Sequence, residues 1–401
     1  MTERARPQTG FRAWVPVIAL AFAAFVFNTS EFLPVGLLPD MAQDLHETVS
    51  FTGLVITGYA WVVALMSLPL AIATAKFERR RLLLFLLAAF ALCHFAVLAA
   101  HSFGMLLICR IGVALTHSVF WSIMTPLAAR TAPRGKRALG LAAVMGGTIV
   151  ATVLGVPIGT KLGHYFGWQE AFAIVGLAAA AVFLIIWKTL PASPSTKAGS
   201  LKSLPVILKR PALLQLYALT MVTVLGQFTA YSYISPFLQR VCGMSDSDVV
   251  NILLVFGLAG IVGTIVSSRT LERHPSASLA VPLFLIAASL ALIEPAANAS
   301  YGVLCAVTLV WGAAMTALCM AFQTIVLKAA PDAADVAASL YSGIFNIGIG
   351  GGAFTGSLLS GWSGFGVLPY AASGFVLLSA LSVALAWAKT GSAVLPGASE
   401  A

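Results

Sequence analysis

Charged side chains are scarce in this chain. Only 9% of its 401 residues are Asp, Glu, Lys or Arg, whereas 59% are hydrophobic and the mean hydropathy is +0.95. A soluble domain carries about 25% charged residues, so this chain has too few polar groups to cover a surface that faces water. The shortage excludes an ordinary soluble protein and indicates one whose surface faces lipid.

Cysteines and catalytic motifs are also few. The five cysteines are scattered, and no two have the CxxC spacing. Neither a disulfide framework nor a metal knuckle is therefore indicated, and we expect no metal and no cofactor. The sequence also contains no DDxxD, HxxxH or GxSxG run and no sizeable soluble segment, which argues against a membrane enzyme or a sensor.

Long apolar runs are what the chain has in abundance. A bilayer crossing takes roughly 20 helical residues, and only helices or closed barrels satisfy the backbone in lipid. The fold class that we predict is an all-α membrane protein, with twelve transmembrane helices in two pseudo-symmetric six-helix bundles. The predicted spans are 14–38, 50–75, 82–99, 103–128, 138–162, 169–188, 212–238, 247–268, 278–294, 300–327, 336–360 and 366–388.

One polar segment divides these spans into two sets of six. Residues 189–211 are rich in Pro, Ser and Lys. We therefore predict an N-terminal bundle at 1–188, a cytoplasmic linker at 189–211 and a C-terminal bundle at 212–401.

The two sets of spans read as repeats. The Ala-Pro pair at 132–133 aligns with the pair at 330–331, and both pairs open the fifth span of their set. A weaker match lays TSEFLP over YSYISP and so places Glu31 on Tyr233. Duplicated halves of this kind suggest a transporter with its site between them, near the middle of the membrane.

Basic residues fall on one side of the predicted membrane. With both termini in the cytoplasm, 20 of the 23 Lys and Arg residues lie in cytoplasmic segments. Lys161 and Arg240 fall outside, and Arg110 falls within a span. This is the positive-inside pattern, which predicts a multi-pass protein with both termini cytoplasmic. It explains the net charge of +9 without nucleic acid.

Three ionisable residues interrupt the apolar spans. Glu31 lies in FVFNTSEFLPVGLLPDM, and Arg110 and His117 lie seven residues apart in the fourth span. We expect Glu31 and Arg110 at similar depth. His117 is two turns further on the face of Arg110, and Trp121 continues that stripe. An ionisable group at the centre of a span costs roughly 2.5–3.5 kcal/mol, so it normally faces the protein interior or a wet cavity.

These residues have a structural and a functional interpretation. In the first, Glu31 and Arg110 form a buried ion pair and His117 is a hydrogen-bonded interior histidine. In the second, Glu31 binds and releases a proton with Arg110 as its electrostatic partner. His117 is a rival proton carrier, because an imidazole titrates near pH 6.5. Buried pairs add little stability over apolar packing, which favours the second.

Other polar and aromatic residues could line the same cavity. Amide, hydroxyl and aromatic groups suit a carbohydrate, although each of these side chains could equally make an interhelical contact. The candidates for substrate binding are Asn28, Tyr59, Trp121, Gln227, Tyr231, Tyr233, Phe345 and Asn346.

Two segments indicate moving parts. The run AIATAKFERRRLLL, with Glu78, Arg79 and Arg80, is a short basic turn between closely spaced spans. The fifth span reads MGGTIVATVLGVPIGTKLG, in which Gly155 and Gly159 flank Pro157. Glycines permit close helix packing, and the proline removes one helical hydrogen bond, so a bend is expected.

These runs resemble motifs of the major facilitator superfamily, in its twelve-helix proton antiporter branch. LGVPIG looks like that branch's antiporter motif, in which glycine and proline are usually adjacent; here Val156 intervenes. The basic turn resembles the gate motif GxxxDRxGRR, with Arg79 and Arg80 in place. Ala75 replaces its acid, and we expect Glu78 to substitute one turn on. CRIGVAL, with Arg110, looks like the helix 4 arginine motif.

Four further runs resemble the bacterial sugar efflux transporters, namely FNTSEFLPVGLL, YAWVVALMSLP, YSYISPF and LYSGIFNIGIG. The resemblance implies a proton-driven exporter of arabinose, thiogalactosides or related solutes in the bacterial inner membrane, and we expect the protein to be a monomer. Its partners would be the solute, protons and the lipid bilayer. An alternative within the same fold is multidrug efflux, for which Phe228, Tyr231, Tyr233 and Phe345 would form an aromatic pocket.

Overall fold

A computed structural model of the chain describes residues 13–133, 135–194 and 204–390. These residues form helices and short connections, which confirms the predicted all-α class. The twelve long helices are α1 (Val15–Asp44), α2 (Val49–Ala73), α3 (Arg79–Ala96), α4 (Phe103–Thr131), α5 (137–166), α6 (Trp168–Thr189), α7 (Pro211–Arg240), α8 (Asp246–Thr270), α9 (Pro275–Ala299), α10 (Tyr301–Ala329), α11 (Ala334–Ser363) and α12 (Leu368–Thr390).

Eleven helices of the described residues are long and apolar enough to cross a membrane. The exception is α11, which has 30 residues and is therefore long enough. Its sequence holds seven glycines and five serines, and these dilute its hydropathy. The prediction of twelve spans thus agrees with the helices by length, and with all but α11 by composition.

Helix ends follow the local sequence. Ser102, Ser245 and Ser300 cap α4, α8 and α10, where each hydroxyl accepts a backbone N–H of the first turn. By contrast, the predicted end of α1 at residue 38 is too early. The helix continues through Pro34 and Pro39 to Asp44, because packing on its neighbours replaces the hydrogen bonds that prolines remove.

Helix α5 changes its winding directly before its proline. Residues Ala151–Gly155 form a wider, π-helical turn, and Val156–Phe166 then continues as α-helix with Pro157 in its first turn. Single π-helical turns inside α-helices are rare and occur frequently at functional sites. Val156, which separates Gly155 from Pro157, directly follows this turn. The expected proline bend is therefore accompanied by a local rewinding that the motif comparison did not predict.

Glycines of α5 lie directly against α1. A Cβ atom on Gly147, Gly155, Gly159 or Gly163 would overlap Ala21, Thr29, Leu33 or Leu37, in that order. The two helices run side by side in fixed register, and the contacts extend across both sides of the π-helical turn. This packing fixes the depth of the α1 segment that carries Glu31.

The N-terminal six helices meet the C-terminal six at one end, which we call the sealed end. Here the Ser50 hydroxyl bonds that of Ser360 at 2.8 Å, and Ser357 donates to the Ser50 carbonyl at 2.7 Å. Ser235 donates to the carbonyl of Val35 at 2.8 Å. Further contacts join Thr57 to the Gly350 carbonyl at 3.2 Å and the Gly257 backbone to the π-helical turn. The opposite end, where α1 begins and α6 ends, is called the basic end.

Candidate functional site

Glu31 lies in the fourth turn from the end of α1, among buried neighbours. Its side chain is 10% exposed, and its Oε2 is 3.7 Å from Nε2 of His117. That distance is too long for a hydrogen bond. Among the described residues, we find no donor within hydrogen-bonding distance of this carboxylate. A largely buried acid without a fixed donor can gain or lose a proton without breaking a protein hydrogen bond.

His117 of α4 is held by two aromatic side chains. Trp121 Nε1 donates to His117 Nε2 at 2.9 Å, and His117 Nδ1 is 2.7 Å from the Tyr59 hydroxyl. An indole N–H can only donate, so Nε2 is an acceptor and the imidazole proton is assigned to Nδ1. Nδ1 therefore donates to Tyr59. The neutral histidine turns its Nε2 lone pair towards both Trp121 and Glu31.

Arg110 binds the backbone of α1 and not the Glu31 carboxylate. Its Nη1 donates to the Ser30 carbonyl at 2.9 Å and to Ser30 Oγ at 3.3 Å, and its Nη2 donates to the Glu31 carbonyl at 3.3 Å. Its guanidinium carbon lies 4.2 Å from the centre of the Tyr59 ring, a cation–π contact. The structure therefore does not show the direct ion pair of the structural interpretation, and the electrostatic partnership of Arg110 with Glu31 stays a prediction. The two residues do share a depth, but Nη1 and Nη2 donate to backbone carbonyls, and the buried Nε has no partner among the described residues.

Sequence reasoning missed His94 of α3. This histidine is 0% exposed, and its Nε2 lies 2.8 Å from the Ser30 hydroxyl. The only signal in the sequence was one imidazole in the apolar run LLAAFALCHFAVL. Its partner is 64 residues away, so the pattern gave no reason to connect it with Glu31.

Counting from the helix ends aligns Gln227 with Glu31 in the second set of helices. Helices α1 and α7 both span 30 residues, and aligning their ends places Glu31 on Gln227. The weaker sequence match, which placed Glu31 on Tyr233, differs from this alignment by six residues and stays a prediction. Gln227 is buried, and its Oε1 accepts a hydrogen bond from Trp311 Nε1 of α10 at 2.7 Å. Tyr231 packs on that indole with ring centres 6.1 Å apart.

Asn346 of α11 leaves one acceptor free. Its Nδ2 donates to the Ser342 carbonyl at 3.0 Å. A carbonyl cannot donate in return, so the amide orientation is fixed. Asn346 is 7% exposed, and its buried Oδ1 has no partner within the described part of the chain. Phe345 beside it is half-buried and 6.0 Å from the Tyr341 ring, while Asn28 donates to Ala24 of its own helix at 3.4 Å.

Tyr233 lies apart from the Glu31 cluster. It interrupts α7 at the sealed end, where its hydroxyl is 2.9 Å from the Ala353 carbonyl and 3.4 Å from that of Ser50. Gly53 and Gly356 leave room for its ring. The structure thus gives Tyr233 a packing and sealing position, and the predicted substrate contact has no geometric support here.

The basic turn holds the segment that follows α6. Glu78 caps α3, where its carboxylate accepts backbone N–H groups of Arg80 and Arg81, both at 2.9 Å. It also accepts the Ser193 N–H at 2.6 Å. Arg79 donates to the Thr74 and Ala75 carbonyls, and Arg80 donates to that of Trp187. These contacts stay within the N-terminal set and the start of the linker, whose residues 195–203 lie outside the described ranges.

The environment of Glu78 changes its acidity. Partial burial raises the pKa of Glu78, but the backbone N–H groups of Ser193, Arg80 and Arg81 favour the charged form more strongly. The pKa of Glu78 consequently lies below its ordinary value. Glu78 therefore acts as an ionised helix cap, in a place where the resemblance suggested a charge relay.

Comparison with known proteins identifies the family. The profile of the Major Facilitator Superfamily matches residues 20–352. The chain belongs to the Major Facilitator Superfamily. This superfamily consists of transporters, so the chain is a multi-pass membrane protein with a transporter fold.

Solved structures of Major Facilitator Superfamily transporters share this fold. One is a bacterial homologue of the human lysosomal transporter Spinster, inward-facing and unoccupied, at 18% identity and TM-score 0.69, with 94% of each chain covered. Its inward-facing, occupied form gives 18% identity and TM-score 0.71, covering 98% of this chain and 96% of that one. The human organic anion transporter MFSD10 (TETRAN) gives 16% identity and TM-score 0.66, covering 93% and 99%. At these identities the likeness concerns the fold alone.

Proposed function

We propose that this protein is a proton-coupled antiporter that exports small sugars, such as arabinose or thiogalactoside-like solutes, across the bacterial inner membrane. The observation that carries the proposal is the Glu31 carboxylate. It is 10% exposed, it is placed mid-helix in an apolar bundle, and no donor among the described residues holds it in one protonation state.

Proton binding to Glu31 would change the surroundings that its side chain requires. An ionised carboxylate requires water or a cation, whereas the neutral acid can enter an apolar setting at much lower cost. Proton uptake at Glu31 would therefore permit the passage to close around it, and proton release would require water to return. His117 lies 3.7 Å away and is the second candidate for carrying the proton.

The sealed end supports an alternating-access cycle. The contacts of Ser50 with Ser357 and Ser360 close one end of the interface between the two sets of helices. With both termini cytoplasmic, the sealed end would face away from the cytoplasm. The structure would then correspond to the state in which an exporter takes up its cargo.

The substrate class depends mainly on the resemblance of four sequence runs to sugar efflux transporters. Two observations are compatible with it. Asn346 Oδ1 is an unpaired buried acceptor that a sugar hydroxyl could satisfy. Trp121 presents a half-buried indole beside His117, and sugar C–H faces stack on such rings.

The test uses purified protein in proteoliposomes with an imposed pH gradient. We expect the wild type to accumulate arabinose or isopropyl thiogalactoside against a concentration gradient. Glu31→Gln should abolish the gradient-driven accumulation while retaining exchange, because an amide binds solute but carries no proton. Glu47→Gln removes an exposed carboxylate and serves as the matched control.

Two outcomes would change the proposal. If Glu31→Gln accumulates solute normally, the proton role passes to His117, and His117→Gln becomes the decisive variant. If lipophilic cations are accumulated and the sugars are not, the protein is a multidrug antiporter of the same fold.

A further inference from the structure

A chain of hydrogen bonds connects α3 to the peptide next to Glu31. His94 Nδ1 lies 2.8 Å from the Phe90 carbonyl of its own helix, and its Nε2 lies 2.8 Å from Ser30 Oγ. The same hydroxyl oxygen accepts from Arg110 Nη1 at 3.3 Å. The chain thus runs from α4 through α1 to α3.

The direction of each bond follows from chemistry. The Phe90 carbonyl can only accept, so His94 Nδ1 carries the proton and Nε2 is the acceptor in the neutral ring. Ser30 then donates its single hydroxyl proton to His94. Its oxygen lone pairs are left for Arg110, and the three residues form an ordered relay of donors and acceptors.

Packing holds this imidazole in one orientation. Its ring stacks on Phe90 with centres 4.1 Å apart and lies 6.0 Å from the Phe172 ring of α6. Gly176 of α6 permits the approach, because a Cβ there would come 2.8 Å from that of His94. His94 is 0% exposed, so water cannot replace it as the acceptor for Ser30.

The relay determines where the guanidinium charge of Arg110 lies. Ser30 offers Arg110 both a hydroxyl oxygen and a carbonyl, and Glu31 offers a second carbonyl. These bonds keep Nη1 and Nη2 of Arg110 on Ser30 and the α1 backbone, while Nε has no partner among the described residues. If Ser30 turned its hydroxyl proton towards Arg110, this hydroxyl would no longer accept from the guanidinium, and Nη1 would need another acceptor. The carboxylate of Glu31, the next residue of α1, is the candidate.

We propose that His94 is a positioning residue, which orients the Ser30 hydroxyl so that Arg110 stays on the α1 backbone and leaves the Glu31 carboxylate free to titrate. Its consequence for transport rests on the proposed function, but its consequence for Glu31 does not. The other titratable groups around this site are Tyr59 of α2 and His117 of α4. The α5 and α6 contacts that face it, Gly155 and Phe172, carry no charge.

The experiment is an infrared pH titration of the protonated carboxyl band in the purified protein. Glu31→Gln identifies the Glu31 band by removing it. In His94→Leu, we expect Arg110 to move onto the carboxylate, so that the acid band appears only at lower pH, displaced by roughly 1–3 pH units. Ser30→Ala should displace it in the same direction, and the double variant should add nothing further, because both changes break one relay.

Conservative replacement separates positioning from packing. In His94→Gln the amide oxygen can accept the Ser30 proton, so the band should return towards the wild-type pH. The asparagine side chain of His94→Asn is too short to reach Ser30, so this variant is used in place of His94→Leu if His94→Leu does not fold. An unchanged band in His94→Leu or His94→Asn overturns the proposal. If instead the band behaves as expected but Glu31→Gln still accumulates solute, the proton role that the proposed function gives to Glu31 fails and the positioning role of His94 stands.

Discussion

The first helix of each set carries a polar side chain at matched positions, in opposite surroundings. Glu31 of α1 lies near Tyr59, His117 and Arg110, groups that titrate or carry charge. Gln227 of α7 accepts a hydrogen bond from Trp311 and has aromatic neighbours. A related helical framework therefore supports an ionisable centre on one side and a neutral centre on the other.

The difference assigns unequal tasks to the two sets. An ionisable centre has two states with different needs for water and partners, so it can respond to a proton gradient. A neutral amide paired with an indole has one state over the physiological pH range. We therefore expect pH-dependent behaviour to be removed by changes in α1, α3 and α4, and to survive equivalent changes in α7 and α10.

The largest effect is expected when a carboxylate replaces the amide of Gln227 at the neutral centre. Gln227→Glu would bury a carboxylate beside Trp311 with no cation described near it, which costs roughly 3–5 kcal/mol when it is ionised. The loss should shrink as pH falls, because the neutral acid can be buried. Thermal unfolding in detergent at pH 5 and pH 8 measures this. Gln227→Leu is the control, and its loss should be independent of pH; a Glu variant equally stable at both pH values would contradict the comparison.

The next effect concerns the contact between the two sets. A Cβ on Gly257 of α8 would come 2.6 Å from the Thr152 carbonyl oxygen and 2.7 Å from the Val153 Cα of the π-helical turn. Backbone atoms cannot rotate away, so Gly257→Ala should destabilise the closed interface by about 1–3 kcal/mol. Spin labels at Glu47, between α1 and α2, and at Asn298, near the end of α9, would measure the separation of the two sets of helices. In the variant, a larger share of molecules should show long distances between the labels. Gly361→Ala has open space around its Cβ and should leave the distances unchanged.

A matched pair of tryptophan variants distinguishes function from packing. Trp311→Phe leaves Gln227 Oε1 without its donor, which should cost about 1–3 kcal/mol of stability. Its transport per folded molecule should be retained. Trp121→Phe removes the donor to His117 Nε2 at a half-buried position, so we expect a small loss of stability and an altered pH profile of transport. The reverse pattern would show that the C-terminal centre is the one that responds to protons.

The smallest effect is expected at the basic turn. Glu78 caps α3, whereas His274 at the matched start of α9 makes no side-chain cap. Glu78→Ala should cost about 0.5–2 kcal/mol, and His274→Ala should cost little. Because the folded pKa of Glu78 is depressed, its stabilisation is present above the ordinary glutamate pKa and is lost as pH falls through the folded value. Melting curves of Glu78→Gln and wild type should therefore converge in acid.

The sequence predicted the helical framework well, because membrane spans are set by length and hydropathy. It also gave the right depth for Glu31, Arg110 and His117, since depth follows from counting residues along a helix. It could not tell whether Arg110 binds a carboxylate or a carbonyl, because both are acceptors at the same level. His94 was missed for a related reason: its role depends on Ser30, a residue of another helix.

Other features depend on chain geometry that composition does not reveal. The proline in α5 predicted a bend, but no pattern in the sequence predicted the π-helical turn at Ala151–Gly155 that precedes it. Tyr233 resembled a ligand contact by its place in a motif, and α7 positions it at the sealed end because the helix is interrupted there. Such interruptions are decided by tertiary packing.

The contacts between α5 and α1 have a mechanical consequence. Because side chains of α1 fill the spaces above successive glycines of α5, neither helix can slide along the other, and we expect the two to tilt as one rigid body. This pair of helices touches the opposite set where Thr152 and Val153 of α5 meet Gly257, close to the level at which Gly155 meets Thr29. Any rocking about that contact would consequently carry the peptide of Ser30 and Glu31 with it, so under the proposed function the surroundings of the acid would change as the transporter opens to either side.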